Sequence, residues 1–515
     1  MGIKCSGPWV GPYLHYLEVA RLSECSSEIA KDNNTFGNSC IRDKKIVQWQ
    51  EVHVSYSTDI QRLKEQARKS KPQAINADVF FITNATILTM EGGRTGQTPI
   101  RGGSLITRGG VIEAVDYTHN LVIPQYATVI DAQGGKSICF VLKELVIYSI
   151  DPGFGELYPA TSWEHQAFLA YGITTLHNPS ADTVTTFTQR SRVESGQLLG
   201  PRIFQTGTII YGAGEGEYHQ DIVDDAEAHS ALLRIKVEGG PASFSYKNYN
   251  LPSRAARQRL LKAAQDLSML CVPEGGMNFD WDLTYIIDGM TTVEHAIPVP
   301  TLYDDVLTLW AKSGTGSTPT HIVNYGGAWG EQFVWANEDV PNNPKKSLNR
   351  RHAHSIVSPP RGVFIVYYFA KTRPHIFFSH AYALFNTSAS TAEMVHRGLR
   401  AHIGAHGENP IGLNYHAEMW FAKQGGLSNY EVIRAATSDA ADTLGILGSL
   451  GSLAPGKLAD YVVYPPGFDV LEDDIRGTQV IWYVARGGRL WDAETMREEW
   501  PVKGKTQVLP RLNED

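Results

Sequence analysis

Short runs of alternating apolar and polar residues, broken by glycine, occupy two parts of the chain that are far apart in sequence. The first part begins at Asp78 and contains DVFFITNATILTM, SLITRGGVIEAV and ATVIDAQGG. The second contains LADYVVYPP from Leu458 and QVIWYVARGGRL from Gln479. Such alternation is typical of strands with one buried face. Because chain termini often meet in space, we expect residues 78–135 and 456–498 to form one composite β-sandwich.

Between these two parts, helical and strand patterns alternate. Helices are predicted for DAEAHSALLRIKV and RAARQRLLKAAQDL, with Asp224 and Ser253 as their N-caps. Strands are predicted for GITTLHN, ASFSYKNY, MLCVP, TTVEHAI and TPTHIV. No GxGxxG follows an early strand, so a doubly wound nucleotide-binding sheet is disfavoured. The repetition over residues 136–455 therefore predicts an α/β fold, a (β/α)8 TIM-like barrel.

Three other stretches depart from this organisation. Residues 1–77 hold one strand-like run, KIVQWQEVHVSY, and one helical run, DIQRLKEQARKSK, which are too little for an independent core. We interpret them as an N-terminal extension and residues 499–515 as a tail. Residues 136–150 and 345–384 break the surrounding pattern, and altered exon joints are one hypothesis for both breaks.

Composition narrows the class of partner. The 515 residues include 46 basic and 54 acidic side chains, a net charge of -8, which does not favour nucleic acid or an anionic membrane surface. The five cysteines are widely spaced without a CxxC pair, as in reduced intracellular proteins. No window reaches the roughly 18 apolar residues of a membrane span. We expect a cytoplasmic protein that acts on a small-molecule substrate.

Five polar side chains lie at the ends of predicted barrel strands. They are His177, Lys247, Glu274, His295 and His406. The carboxyl ends of barrel strands converge on one face, so these residues together predict a polar pocket. Each also has a simpler interpretation: a hydrogen-bonded histidine, a surface lysine, or a carboxylate that holds the amides of a glycine turn.

The order of motifs identifies a family. NATILTM, LITRGGVIEAV, VIDAQGG, YGITTLHNPSAD, TTVEHAI, GSLAPGKLADYVVY and YVARGGRLWDAETM together resemble the amidohydrolase superfamily, in its imidazolonepropionase-like and prolidase-like branch, over about residues 78–498. The resemblance implies a barrel with a small β-sandwich and one or two divalent metals, usually zinc. These metals activate a water that attacks an amide, lactam or similar carbon–nitrogen bond. A homodimer is a further implication, and residues 1–77 resemble the end of a β-propeller fused ahead of some relatives.

The same resemblance assigns roles to the polar residues. Lys247 matches the lysine that becomes carboxylated and bridges two metals, and His295 matches a histidine ligand. Glu274 stands where the family usually has histidine, and His406 stands where it usually has the aspartate that serves as ligand and base. We therefore predict Lys247, Glu274 and His295 as metal ligands, with His406 and His177 as catalytic residues.

One family motif is missing. After VIDAQG the family continues into His-x-His, but residues 134–150 contain no histidine and the next one is His165. One divalent metal, by preference zinc, is therefore expected rather than two. Three functions stay open: a hydrolase with an impaired or single-metal site, a catalytically inactive binding protein, and a metal-free isomerase or lyase that uses His177, Glu274 and His406 as acid and base.

Overall fold

A computed structural model describes ten stretches of the chain: 79–138, 141–143, 161–180, 183–211, 220–240, 243–249, 251–276, 278–324, 384–407 and 411–507. All of these residues belong to the same compact unit. The predicted N-terminal extension, the last eight residues of the tail and most of the two anomalous stretches lie outside the described residues.

One mixed sheet joins the two flanks of the chain. Its nine strands are β1 (Val79–Ile87), β2 (Ile100–Arg108), β3 (Val111–Tyr117), β4 (Thr128–Asp131), β5 (Lys136–Ile138), β14 (Tyr461–Val463), β15 (Tyr483–Arg486), β16 (Arg489–Asp492) and β17 (Glu498–Trp500). Their order is β17-β16-β15-β14-β5-β1-β2-β3, with β4 beside β1. The antiparallel pair β5 and β14 connects the N-terminal strands to the C-terminal strands.

Apolar residues cover both faces of this sheet at β1. Phe80 and Ile82 pack into a large core whose aromatic members include Trp500, with ring centroids of Phe80 and Trp500 5.1 Å apart. Phe81 faces the other way, into a smaller core with Ile106. Two packed sheets, which the predicted sandwich requires, are not distinguished among the described strands.

Eight further strands run parallel in short sheets. They are β6 (Val141–Lys143), β7 (Thr175–Asn178), β8 (Arg202–Gln205), β9 (Ile210–Tyr211), β10 (Ser245–Tyr249), β11 (Leu270–Pro273), β12 (Thr292–Glu294) and β13 (Gly316–Thr318). Within each sheet a strand pairs with its neighbour along the chain, and single bridges add Glu274 to Glu294 and Ser317 to Ala401. Among the described residues the three sheets stay separate, and a closed barrel is not seen. The stretches 144–160 and 325–383 do not belong to the described residues.

Eleven described α-helices lie between and after these strands. They are α1 (Trp163–Ala170), α2 (Thr183–Glu194), α3 (Asp225–Gly239), α4 (Arg254–Asp266), α5 (Phe279–Asp288), α6 (Asp304–Ser313), α7 (His321–Asn324), α8 (Leu384–His396), α9 (Leu413–Gln424), α10 (Asn429–Ala435) and α11 (Ser438–Thr443). In the described part of the chain, no helix is both long and apolar enough to cross a membrane.

The predicted caps of two helices are confirmed. The Asp224 carboxylate accepts a hydrogen bond from the Glu227 amide at 2.9 Å, at the start of α3. The Ser253 hydroxyl accepts one from the Ala256 amide at 3.2 Å, at the start of α4. Each cap satisfies an amide that has no partner within its helix.

The strand predicted for TPTHIV is wrong beyond Thr318. There β13 ends, and a helical turn begins at His321. The buried Glu418 carboxylate accepts hydrogen bonds from the His321 and Ile322 amides, at 2.7 and 2.9 Å, and lies 2.8 Å from the His321 ring. Because these amides bond to a side chain on α9, they are not available for strand pairing.

Candidate active site

Lys247 lies inside the parallel strands, on β10. Its side chain is 1% exposed, and its ammonium forms an ion pair with the Glu274 carboxylate. The ammonium also lies 5.9 Å from the centre of the Tyr249 ring. Side chains two apart on a strand point to the same side, so Ser245, Lys247 and Tyr249 share one face of β10. The interpretation of Lys247 as a surface charge is therefore wrong.

Glu274 follows β11 directly, in a turn built on two glycines. The Glu274 amide donates to the Asn248 carbonyl at 2.8 Å, and the Gly275 amide donates to the Glu294 carbonyl at 2.8 Å. Gly276 has a φ of +76°, and a β-carbon there would lie 2.9 Å from the β-carbon of His295. The turn therefore needs glycine, both for its left-handed backbone and for the close approach to His295.

His295 follows β12 and completes a connected group with Glu274. Its Nε2 lies 2.8 Å from Glu274 Oε1, and its side chain is 7% exposed. The His406 ring packs edge-on against the His295 ring, with centroids 5.1 Å apart. Both histidines have a positive φ, 68° and 57°, a strained conformation that is common at functional sites. Lys247, Glu274, His295 and His406 therefore form one group, which we name the strand-end cluster.

Electrostatics in this cluster favour an ionised carboxylate. Burial raises the pKa of Glu274. The positive charge of Lys247 and the contact with His295 lower it by more, so the pKa lies well below its usual range. Opposite charges within contact distance outweigh desolvation in this way. The carboxylate is therefore an anion between two donors, and it orients both of them.

His406 reaches the cluster without ending a regular strand. A strand ending at His406 is predicted, but the structure has isolated bridge residues at Ala401 and His406, and residues 402–405 between them form no ladder. The left-handed backbone at His406 turns the chain there. The predicted convergence of side chains thus arises from a loop at this position.

His177 lies on another of the parallel strands, β7, and is not a member of the strand-end cluster. It is fully buried on β7, its Nε2 is 3.0 Å from the Ser245 hydroxyl, and its ring centre is 6.1 Å from that of Phe244. Ser245 precedes Lys247 by two residues on β10. The hydrogen bond to Ser245 therefore ties β7 to the strand that carries Lys247, and a catalytic role for His177 stays a prediction.

Asp282 is a site residue that the sequence did not reveal. It is buried on α5, and its carboxylate accepts a hydrogen bond from the Gly276 amide at 3.2 Å. Burial raises the pKa of Asp282 to about 7, against opposing effects of that amide and of His295. An acidic residue in the first turns of a helix is common for electrostatic reasons, so nothing in the sequence marked it.

The donor types in the cluster suit a divalent metal only in part. Glu274 and His295 offer a carboxylate and an imidazole, both common zinc ligands, whereas Lys247 offers an oxygen only when carboxylated. Among the described residues, no group of three or more His, Cys, Asp or Glu side chains is arranged to hold a metal. The chemistry of the donors fits one metal if Lys247 supplies the third ligand.

Comparison with family models agrees with the resemblance predicted from the sequence motifs. The Amidohydrolase family matches residues 370–489, which include His406 and the C-terminal strands β14 and β15. The predicted resemblance to the amidohydrolase superfamily is confirmed. No curated protein sequence matches this amidohydrolase-like chain.

Solved structures of hydrolases share the fold. A molinate hydrolase aligns with a TM-score of 0.59 at 17% identity over 85% of this chain and 99% of its own. A Xaa-Pro dipeptidase with bound methionine aligns at 0.57 and 17%, over 80% and 100%. An ochratoxinase from A. niger aligns at 0.56 and 15%, over 81% and 96%. By sequence and fold, the amidohydrolase-like chain resembles hydrolases.

Proposed function

We propose that this chain is a hydrolase of carbon–nitrogen bonds in small molecules, such as non-peptide amides or lactams, with its active site at the strand-end cluster. The observation that carries the proposal is the direct contact of Glu274 with both Lys247 and His295. Lys247 lies on β10, and Glu274 and His295 directly follow β11 and β12; the family resemblance assigns metal binding to all three positions. The proposed architecture is a closed (β/α)8 barrel with a composite β-sandwich.

One divalent metal, by preference zinc, would be held by a carboxylated Lys247, Glu274 and His295. When bound, it would supply an activated water and polarise the scissile carbonyl. The chain's own residues bind and orient: Glu274 holds His295 in place at 2.8 Å, and Asp282 fixes the glycine turn that carries Glu274. His406, beside His295, is proposed to accept and return the proton of the reaction.

Metal analysis of the purified full chain tests this site. We expect about one zinc or manganese per chain, and a loss of most of it in Lys247→Ala and in His295→Ala. His396→Ala is the matched control, because His396 is a half-exposed histidine on α8 that pairs with Glu431. Unchanged metal content in both site variants would show that the metal is held elsewhere, and a folded chain without metal would exclude the proposal.

A second function is favoured by one property of the same cluster. The Glu274 carboxylate already contacts the Lys247 ammonium and the His295 ring, so side chains of the chain itself balance its negative charge. A catalytically inactive protein that binds a small molecule at this cluster would keep such a group. Hydrolysis of simple N-acyl amino acids or lactams by wild type, lost in His406→Ala, would exclude this alternative.

A further inference from the structure

A polar cavity lies at the end of the parallel strands opposite to the strand-end cluster. Its volume is about 480 Å³, within the range of small-molecule sites. Gly314 and Thr315, which line it, come directly before β13, whereas His295 follows the parallel neighbour β12. No residue of the strand-end cluster lines this cavity. It is therefore separate from the candidate active site.

Positive side chains from distant parts of the sequence meet at this cavity. Arg94 comes from a short 3-10 helix between β1 and β2, Arg400 from the segment after α8, Arg434 from α10, and Lys457 from the loop before β14. Bringing four cations together costs electrostatic energy unless anions offset them. The balance of charge around the cavity therefore indicates what it binds.

Three of these cations have a carboxylate partner in the cavity wall. Arg400 pairs with Asp442 at 2.5 Å. Arg434 pairs with Asp439 through two nitrogens, at 3.0 and 2.5 Å. The third pair joins Lys457 and Glu91, at 2.7 Å. Four cations thus face three carboxylates, which leaves one positive charge in excess among the described residues.

The excess charge lies on Arg94. Among the described residues, no carboxylate forms an ion pair with it, and it donates one hydrogen bond, to the Leu399 carbonyl at 3.3 Å. Desolvation by the surrounding chain and, next, the charge of Arg434 lower the pKa of Arg94. The turn that carries it is fixed to α10, since the Tyr430 hydroxyl donates to the Gly93 carbonyl at 2.8 Å. Arg94 is therefore held at the cavity with most of its donors available.

We propose that this cavity binds a small oxyanion, such as a phosphate group or a dicarboxylate, with Arg94 as its main contact and Arg400 and Arg434 beside it. A planar guanidinium offers paired donors that match the oxygens of phosphate and carboxylate. A bound oxyanion would connect the segment between β1 and β2, through Arg94, to α10, which carries Arg434. The site goes beyond the proposed hydrolase function and does not depend on it.

Isothermal titration of the chelator-treated full chain tests the proposal, with inorganic phosphate and malonate as probes and chloride at matched ionic strength as the control. We expect saturable binding of at least one probe, with one site per chain. Arg94→Gln should weaken it about tenfold or more, as expected for loss of charge-assisted hydrogen bonds. Tighter binding of phosphate would identify a phosphoryl ligand, and tighter binding of malonate a dicarboxylate.

Three variants decide where the probe binds. Arg94→Lys keeps the charge without the paired donors and should give intermediate affinity. Arg108→Gln removes an exposed arginine that pairs with Glu113 on the same sheet, and should change nothing. His295→Ala should also leave affinity unchanged, because His295 belongs to the other site. Equal affinity in Arg94→Gln, with an unaltered unfolding curve, or no saturable binding by wild type, would overturn the proposal.

Discussion

The ion pair between Lys247 and Glu274 allows a quantitative test of the cluster. Lys247 is 1% exposed and Glu274 10%, so neither charge is well solvated. Glu274→Gln removes the negative charge but keeps an acceptor for His295. The Lys247 ammonium then loses its ion pair with Glu274 in a buried position. Breaking a buried pair from one side in this way destabilises proteins by about 3–5 kcal/mol.

The cost of deprotonating Lys247 sets an independent upper limit on this loss of stability, of similar size. A buried lysine that has lost its partner can avoid its charge by releasing the proton. For an ordinary lysine side chain, deprotonation costs about 5 kcal/mol at pH 7 and about 2 kcal/mol at pH 9. We therefore expect Glu274→Gln to lower the free energy of unfolding by about 3–5 kcal/mol at pH 7, and by less at pH 9.

The assay is equilibrium unfolding in urea of chelator-treated protein, followed by fluorescence of its 11 tryptophans. Glu113→Gln is the matched control, since Glu113 pairs with Arg108 on the surface. Exposed pairs contribute about 0–1 kcal/mol. The double variant Lys247→Met with Glu274→Gln removes the ammonium as well, and should recover most of the loss. A Glu274→Gln effect no larger than the control, or a double variant no more stable than the single, would refute the reasoning.

Three further predictions concern the stability of the described fold and of the candidate site. Burial lowers the pKa of His165 from 6.5 to about 4, so the stability that it contributes is complete above pH 6.5 and is lost as the pH falls towards 4. Over this pH range, the free energy of unfolding in urea should fall by about 3 kcal/mol less in His165→Gln than in wild type. The pKa of Asp282 is raised to about 7, so the stability that its protonated carboxyl contributes is complete below pH 3.8 and is lost as the pH rises to 7. The free energy of unfolding of Asp282→Asn should therefore increase relative to wild type between pH 4.5 and pH 8. A difference between the two proteins that does not change with pH would count against this. Gly276→Ala should cost more than the about 1–3 kcal/mol of left-handed strain, because its β-carbon meets His295, whereas Gly196, with the same φ of +76° and no atom within 4 Å of an added β-carbon, should show strain alone in Gly196→Ala; equal losses in thermal unfolding would contradict the contact.

Local signals explain why several elements were predictable. Asp224 and Ser253 cap their helices as expected, since a cap depends on side-chain and amide groups within four residues. The strands at His177 and Lys247 also follow from short apolar runs. The family motifs predicted the resemblance that the Amidohydrolase family match confirms. Which residues bind a metal, and how many metals bind, stay predictions.

Other features depend on contacts between distant residues. His321 begins a helical turn instead of continuing a strand, because Glu418, 97 residues later, accepts its amide hydrogen bond. Asp282 belongs to the site because the fold places α5 beside the Gly276 turn. No local pattern encodes either contact.

The sequence by itself determined the helix caps, the apolar strands and the candidate polar residues, because each of these is a property of a few neighbouring positions. The tertiary structure decided which of the candidates meet. Lys247, Glu274, His295 and His406 converge, whereas His177 bonds to Ser245, and Arg94 faces a cavity at the opposite end of the strands. The physical reason is that burial and charge pairing act between elements, and a side chain's environment is set only when those elements pack.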